Sequence, residues 1–140
     1  MEVQTELVEA MLNPITYPEE TGSINLIQTH ISFVFLTKEY AYKVKKAVNF
    51  GFLDFSTLEK RCFYCEKELK LNQRLCPDLY LEVVPINKSN RIMINGAGET
   101  IDYALKMKRL PQERIMTSLL GENKIDKKVI DEVAAIVAEF

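Results

Sequence analysis

Lys43 and Glu68 are the residues whose types and spacing could do chemistry. Lys43 lies in an alternating apolar segment that predicts a β-hairpin turning at Thr37-Lys38-Glu39. Glu68 lies on a predicted helix, near the middle of the arc that the apolar side chains form at about 100° per residue. A carboxylate that faces the core must find a cation or bear a large desolvation cost. We therefore predict a Lys43–Glu68 ion pair, an arrangement that can hold a strand lysine against the phosphates of ATP.

The helix that carries Glu68 is predicted to run from Ser56 to Leu75. Ser56 and Glu59 have the spacing of a capping box, and Pro77 marks the end of the helix. Charged side chains occupy the side opposite the apolar arc, so the arc should face a sheet. The arc consists of Leu58, Cys62, Tyr64, Cys65, Leu69, Leu71 and Leu75.

The partner of Glu68 has alternatives in the same helix and strand. Arg61 also falls on the buried arc and could bind Glu68 instead of Lys43, and Glu66 would be the partner of Lys43 if the helix were rotated. The pair could also be an ordinary buried ion pair that braces the helix against the sheet. Five basic residues are expected to be solvated strand ends, although some could line a cleft: Lys45, Lys46, Lys106, Lys108 and Arg109.

Cys62 and Cys65 have the Cys-x-x-Cys spacing of metal and redox sites. Cys76 is the only other thiol and His30 the only histidine, so four zinc ligands could barely be completed. Reactive Cys-x-x-Cys pairs also favour a helix start over a helix middle. We interpret these cysteines as small core residues.

Composition favours one globular domain in the cytoplasm. The chain has 140 residues, of which 47% are apolar, which is enough for a single core. A formal charge of −2 argues against a dedicated binder of nucleic acid or of a membrane surface. The sequence has no apolar run long enough to span a bilayer, its first residues lack the zones of a signal peptide, and three cysteines suit a reducing compartment.

The first half of the chain predicts a helix followed by strands. Apolar residues recur at helical spacing over residues 2–12, and Asn13-Pro14 ends the pattern. From Ile24 a β-rich run is interrupted by Gln28-Thr29-His30, so it should form two strands or one bent strand. The aromatic segment from Ala47 to Phe55 is expected to pack against the sheet.

The second half predicts more strands and two helices. Tyr80 to Ile86 is β-rich, and Pro85 favours an edge or the end of that strand. A hairpin is predicted at Asn95-Gly96-Ala97-Gly98, with Ile101 to Met107 as its returning strand. Two helices should follow in residues 111–140. The fold class is therefore α+β, with about five antiparallel strands, one long helix across them and flanking N- and C-terminal helices.

Several long segments of the chain resemble a known family. They read V-F-L-T-K-E-Y-A-Y-K-V-K-K, F-G-F-L-D-F-S-T-L-E-K-R, C-E-K-E-L-K-L-N-Q-R-L and D-L-Y-L-E-V-V-P-I. They are similar to the N-terminal lobe of an uncharacterised bacterial and archaeal family related to aminoglycoside phosphotransferases, whose members are often fused to a P-loop kinase domain. The resemblance covers about residues 24–140 and implies a protein-kinase-like N-lobe over 24–110. The helix and loop predicted in 1–23 lie outside the resemblance, and the helices predicted in 111–140 follow the lobe.

The resemblance also implies which residues bind a nucleotide. Lys43 would be the phosphate lysine, Glu68 the helix glutamate that orients it, and Ala41 would lie under the adenine. The segment from Gln28 to Ser32 takes the place of the glycine-rich loop, so Thr29, His30 and Ser32 would cover the phosphates; for His30 a simple turn position is the alternative. The inter-lobe hinge would be formed by Met107, Lys108, Arg109 and Leu110.

Two features depart from the family pattern. The segment from Gln28 to Ser32 has no glycine, although close approach of backbone to phosphate normally requires one. His30 is followed by Ile31-Ser32, so these 140 residues hold no H-G-D or H-R-D catalytic loop. The catalytic base and the metal ligands would come from a C-terminal lobe.

The sequence thus predicts a lobe that binds ATP with Mg²⁺ and that is not active without a C-terminal lobe, supplied by a longer chain or a partner protein. The alternative is a non-catalytic interaction or regulatory module that keeps the scaffold of the lobe. Since an isolated lobe would expose the apolar surface of its cleft side, we also expect a homo-oligomer.

Overall fold

The computed structural model describes residues 2–109, which form two α-helices, one short 3-10 helix and six strands. The helices are α1 (Glu2–Met11) and α2 (Leu58–Gln73), with the 3-10 helix at Pro14–Thr16. The strands are β1 (Asn25–Gln28), β2 (Ser32–Leu36), β3 (Tyr40–Lys45), β4 (Tyr80–Lys88), β5 (Ile92–Ile94) and β6 (Glu99–Lys108). Leu110 and the helices predicted in residues 111–140 lie outside the described residues.

All six strands form one antiparallel sheet in the order β1-β2-β3-β6-β4-β5. The α+β class predicted from the sequence is confirmed, but the sheet has six strands where about five were expected. The interrupted run after Ile24 forms two separate strands, β1 and β2. The predicted hairpin turn at Thr37-Lys38-Glu39 joins β2 to β3, and the N–H and hydroxyl of Thr37 both donate to the carbonyl of Tyr40.

The predicted hairpin around Asn95 to Gly98 is wrong, because β4 lies between β5 and β6. β5 has only three residues and pairs with the end of β4, whereas β6 has ten residues and pairs along its length with both β3 and β4. The segment after β5 therefore crosses the end of β4 before β6 begins. A long apolar strand gains more by pairing on two sides than by pairing with a three-residue neighbour.

Pro85 lies inside β4 and not at its end, since the strand continues to Lys88. The carbonyl of Pro85 accepts from the N–H of Asn95, and the β4–β5 ladder itself begins only at Ile86. The N and the carbonyl of a strand residue face the same neighbouring strand, so the nitrogen of Pro85, which has no hydrogen to donate, also faces the β5 side, where the ladder has not yet begun. Proline is tolerated there because few ladder hydrogen bonds are lost.

Strand β3 alternates between two environments. Tyr42 and Val44 are fully buried in the main apolar core. This core also contains Leu7 and Met11 of α1, so α1 covers one face of the sheet. Helix α2 lies against β4 and β6. It carries Glu68, which contacts Lys43 and Lys45, the β3 residues that alternate with Tyr42 and Val44. The alternation of β3 therefore separates an apolar face from a face that holds charges.

The N-cap of α2 is Thr57, one residue after the predicted Ser56. The Thr57 hydroxyl accepts from the N–H of Lys60 at 3.2 Å, whereas the Ser56 hydroxyl bonds Asp54 Oδ1 at 2.6 Å. Both residues can cap a helix, and the local bond to Asp54 decides between them. The helix ends at Gln73, two residues before the predicted Leu75. Neither α1 nor α2 has the length and apolar character needed to cross a bilayer.

Candidate functional site

Glu68 binds two lysines of β3. Lys43 Nζ lies 3.1 Å from Glu68 Oε2, and Lys45 Nζ lies 2.8 Å from Glu68 Oε1. The predicted contact between Lys43 and Glu68 is therefore present, and the contact with Lys45 is additional. We call these three residues the lysine–glutamate triad.

The two alternatives for the triad's ion pair do not occur. Arg61 binds Asp102 and not Glu68, with Nε 3.1 Å from Asp102 Oδ1, and its Nη1 donates to the carbonyl of Phe55. Glu66 is exposed on the outer side of α2. The helix is thus rotated as the arc of apolar residues predicts for Glu68 and Cys65, although Leu71 of the same arc is 43% exposed.

Lys45 is not the solvated strand end that the sequence suggested, because its side chain is only 4% exposed. Its ammonium lies 4.8 Å from the ring centroid of Phe55, which covers it with an aromatic face. The sequence does hold a signal for this position. Lys45 is two residues from Lys43 on the same strand, so both side chains must leave the same face of the sheet.

The triad carries a surplus of positive charge. Burial alone would raise the pKa of Glu68, but the hydrogen bond and charge of Lys45 and the charge of Lys43 together hold it below its ordinary value. Glu68 is therefore ionised at neutral pH. Two ammonium groups against one carboxylate leave one positive charge without a partner in the triad.

A cleft of about 540 Å³ lies beside Lys43. This volume lies within the range of about 300–1,000 Å³ that is typical of small-molecule sites. The lining residues come from the β1–β2 segment, from β2, β3 and β6, and from the start of β4: Thr29, His30, Ile31, Ser32, Val34, Lys43, Tyr80 and Met107. Five of them were predicted as site residues, namely Thr29, His30, Ser32, Lys43 and Met107.

Two cleft residues, Val34 and Tyr80, were not predicted, whereas Ile31 belongs to the segment that was predicted to cover the phosphates. Val34 lies directly across from Lys43 in the β2–β3 register, so its side chain shares the face of Lys43. Tyr80 pairs with Met107 of β6. Both could have been found only with the strand register, which the sequence does not provide.

Thr29 organises the segment that joins β1 to β2. Its hydroxyl accepts from the N–H groups of Ile31 at 3.3 Å and Ser32 at 3.0 Å, and its own N–H donates to the carbonyl of Ser32. This side chain closes the turn without glycine. The same bonds occupy amides that a glycine-rich loop would offer to phosphate.

His30 is the exposed polar side chain of this segment, and it lies at the cleft. The Ser32 hydroxyl is buried and has no hydrogen-bond partner within residues 2–109. The segment therefore offers the cleft an imidazole in place of a row of backbone amides, while the Ser32 hydroxyl lies beneath the surface.

The remaining predicted site residues lie at the end of β6 and across from it. Ala41 is buried on the face of Lys43 and pairs with Met107, but it does not line the cleft. The N–H of Lys108 donates to the carbonyl of Leu79, and the N–H of Arg109 donates to the carbonyl of Glu39. These two N–H groups are therefore occupied and do not offer donors to a base.

Asp102 is a buried carboxyl that the sequence analysis missed. It is 1% exposed, and it accepts hydrogen bonds from Arg61 and from the N–H of Tyr103. Burial raises the pKa of Asp102, and the charge of Arg61 offsets this only in part. The sequence does hold a signal for a buried carboxyl here, because Asp102 is the single acidic residue in the apolar run from Ile101 to Leu105.

The three cysteines lie in different environments. Cys65 is fully buried, Cys62 is partly buried and Cys76 is exposed. Burial raises the pKa of the Cys65 thiol to about 12, so this group stays protonated at neutral pH. The described part of the chain has no cluster of three or more His, Cys, Asp or Glu side chains that could hold a metal ion.

The chain is similar to curated proteins of Mycobacterium bovis and of two strains of Mycobacterium tuberculosis, all called uncharacterized proteins. Each is 27% identical over 117 residues, which is 84% of this chain. The chain spans only 22% of the length of these relatives. No family model matches the chain, and no solved structure matches it.

Proposed function

We propose that the chain is the nucleotide-binding lobe of an aminoglycoside-phosphotransferase-like kinase and that its cleft takes ATP with Mg²⁺. The observation that carries this proposal is the lysine–glutamate triad, which brings a surplus positive charge to a cleft of nucleotide size. Such charge in a partly desolvated cleft favours an anionic ligand. The resemblance of the sequence to a protein-kinase-like N-lobe points to the same ligand.

Five of the eight cleft residues, together with Glu68, have a role in this proposal. Lys43 binds the α- and β-phosphates, and Glu68 holds Lys43 toward them. Thr29 shapes the covering segment, and the exposed imidazole of His30 lies beside the phosphates. Val34 and Met107 provide apolar contacts for the base.

The residues fit the triphosphate better than they fit the base. The free charge of the triad and the exposed imidazole of His30 suit phosphate oxygens. The N–H groups of Lys108 and Arg109 are occupied, so neither of them serves as the hinge donor to the base in this proposal. Bound Mg²⁺ would neutralise phosphate charge, and its protein ligands would come from a C-terminal lobe.

Phosphoryl transfer is assigned to the whole protein and not to this lobe. The lobe binds and orients the nucleotide, whereas the catalytic base belongs to the C-terminal lobe of the proposed kinase. The greater length of the mycobacterial relatives is compatible with such a second lobe.

Isothermal titration with Mg-ATP tests the proposal. The wild-type chain should bind, and Lys43→Ala should weaken binding by about tenfold or more, since a charge-assisted hydrogen bond is lost. Lys88→Ala is the matched control, because it removes the same charge from β4, two strands away from β3, where Lys88 forms an exposed pair with Glu6. Absence of binding by the wild type, or an equal loss in both variants, would contradict the proposal.

A second candidate function, an interaction module that self-associates, is favoured by an exposed aromatic pair. Phe52 is 90% exposed and Phe50 48% exposed, and their rings stack with centroids 6.4 Å apart. Exposed aromatic side chains of this size are typical of association surfaces. Sedimentation of the wild type and of Phe52→Ser tests this candidate: a concentration-dependent dimer that the substitution abolishes supports it, and a monomer throughout the micromolar range contradicts it.

A further inference from the structure

We infer that Lys45 is the fixed partner of Glu68, and that Lys43 is the ammonium left to bind an anionic ligand in the cleft. The part that concerns Lys45 stands on the triad alone, while the part that concerns the ligand rests on the proposed function. Lys45 would then be a positioning residue, since it acts on the ligand only through Glu68 and Lys43.

The two lysines differ in burial. The Lys45 side chain is 4% exposed, and its ammonium is enclosed by Glu68 and by the ring of Phe55. The Lys43 side chain is 27% exposed. A buried ammonium that leaves its carboxylate loses a partner that little water can replace, whereas an accessible ammonium can exchange one oxygen partner for another. Lys43 can therefore leave Glu68 at a lower cost than Lys45 can.

The two lysines also face different hollows. Lys43 lines the larger cleft, with Thr29 and Ser32. Lys45 lines a smaller hollow of about 320 Å³ on the side of α2, together with Glu68 and Phe55, and does not line the larger cleft. An anion in the larger cleft thus meets Lys43 and not Lys45.

The charge balance of the triad gives Lys45 its effect on the ligand. With Lys45 present, the carboxylate of Glu68 is neutralised by Lys45, and the charge of Lys43 is available to the cleft. Without Lys45, Glu68 and Lys43 form a neutral pair, so the ligand must compete with Glu68 for the same ammonium. Loss of Lys45 should therefore weaken anion binding although Lys45 does not touch the anion.

The first experiment is a double-mutant cycle on the 140-residue chain, with Mg-ATP as the probe. Lys45→Met should weaken binding by about tenfold, and Lys45→Arg should restore it, because arginine keeps the charge. In the Glu68→Gln background, Lys45→Met should change the dissociation constant by less than about twofold. Lys70→Met, on the exposed side of α2, is the matched control.

Two results of this cycle overturn the inference. The first is binding by Lys45→Met that equals the wild type. The second is an equal loss from Lys45→Met in both backgrounds, which would mean that Lys45 does not act through Glu68. Circular dichroism of each variant identifies any loss that comes from unfolding.

The second experiment uses no nucleotide, so it separates this inference from the proposed function. Reductive methylation of the unliganded wild type, followed by peptide mass spectrometry, should modify Lys43 readily and leave Lys45 protected. NMR titration of the Glu68 carboxyl should show a larger rise of its pKa in Lys45→Met than in Lys43→Met. If the wild type does not bind Mg-ATP, the proposed function fails, and these two measurements alone decide the role of Lys45. Equal methylation of the two lysines overturns it.

Discussion

Arg61 Nε lies 3.1 Å from Asp102 Oδ1, where α2 crosses β6. Asp102 Oδ2 lies 3.4 Å from Gln4 Nε2 of α1, and Gln4 in turn contacts the backbone of Lys45 and Ala47. One buried carboxyl thus connects both helices to the sheet. Because Gln4 bonds both Asp102 and the carbonyl of Lys45, the contacts that stabilise the fold also hold the end of β3 that carries Lys45.

We predict that Arg61→Ala lowers the free energy of unfolding by about 3–5 kcal/mol, because it leaves the Asp102 carboxylate buried without its cation. Urea denaturation at neutral pH measures this change. Lys60→Ala is the matched control, since Lys60 is the residue before Arg61 on α2 and pairs with Asp54 at the protein surface, so its loss should cost much less. Similar losses of stability in the two variants would show that the buried charge of Asp102 does not need Arg61 as its partner.

Glu68 should make the stability of the chain depend on pH. Its pKa is lowered from the ordinary value of 4.5 in the folded state, so its stabilising effect is complete above pH 4.5 and is lost as the pH falls through the lower folded value. Glu68→Gln should therefore lower the free energy of unfolding by about 1–3 kcal/mol at pH 7, and the difference from the wild type should shrink below pH 4.5.

Denaturation of both proteins at several pH values checks this prediction, with Glu66→Gln as the exposed control on the same helix. The control should show no such pH-dependent difference. A wild-type advantage that persists unchanged down to pH 3 would contradict a lowered pKa at Glu68.

Thr29→Ala should loosen the segment between β1 and β2. The hydroxyl accepts from two amides, those of Ile31 and Ser32, and removing it leaves both without their partner. Hydrogen exchange of these two amides should accelerate by about fivefold or more, which corresponds to the loss of one ordinary hydrogen bond. Thr29→Ser keeps the hydroxyl and should exchange as the wild type does; acceleration in both variants would assign the effect to the lost methyl group.

The Lys43–Glu68 contact could be predicted because two periodicities agree on it. The arc of apolar residues on α2 turns Glu68 inward, and the alternation of β3 turns Lys43 toward the same side. Both are local patterns, which the sequence displays directly. The direction of the Lys45 side chain follows from the same alternation. Lysine side chains are so often exposed, however, that the residue type alone predicted a solvated side chain.

Features that depend on the arrangement of distant segments could not be predicted. Asp102 acquires its role only because β6 passes between β3 and β4, and neither neighbour is adjacent to it in the sequence. Val34 and Tyr80 line the cleft because their strands pair in one particular register, and that register cannot be read from the sequence. The N-cap of α2 was misplaced by one residue, because Ser56 and Thr57 are chemically equivalent caps and the bond to Asp54 separates them.

Gly98 should be required where the chain passes the end of β4. Its φ is +102°, and a Cβ at this position would lie 2.2 Å from the Lys88 carbonyl oxygen, a backbone atom that cannot move aside. Gly51 is the matched control, because its φ is +86° but a Cβ there would meet nothing within 4 Å. Gly51→Ala should cost about 1–3 kcal/mol from backbone strain alone, and Gly98→Ala should cost clearly more, because the clash adds to the strain. Urea denaturation measures both, and equal costs would contradict the close approach of Gly98 to Lys88, on which the crossing from β5 to β6 depends.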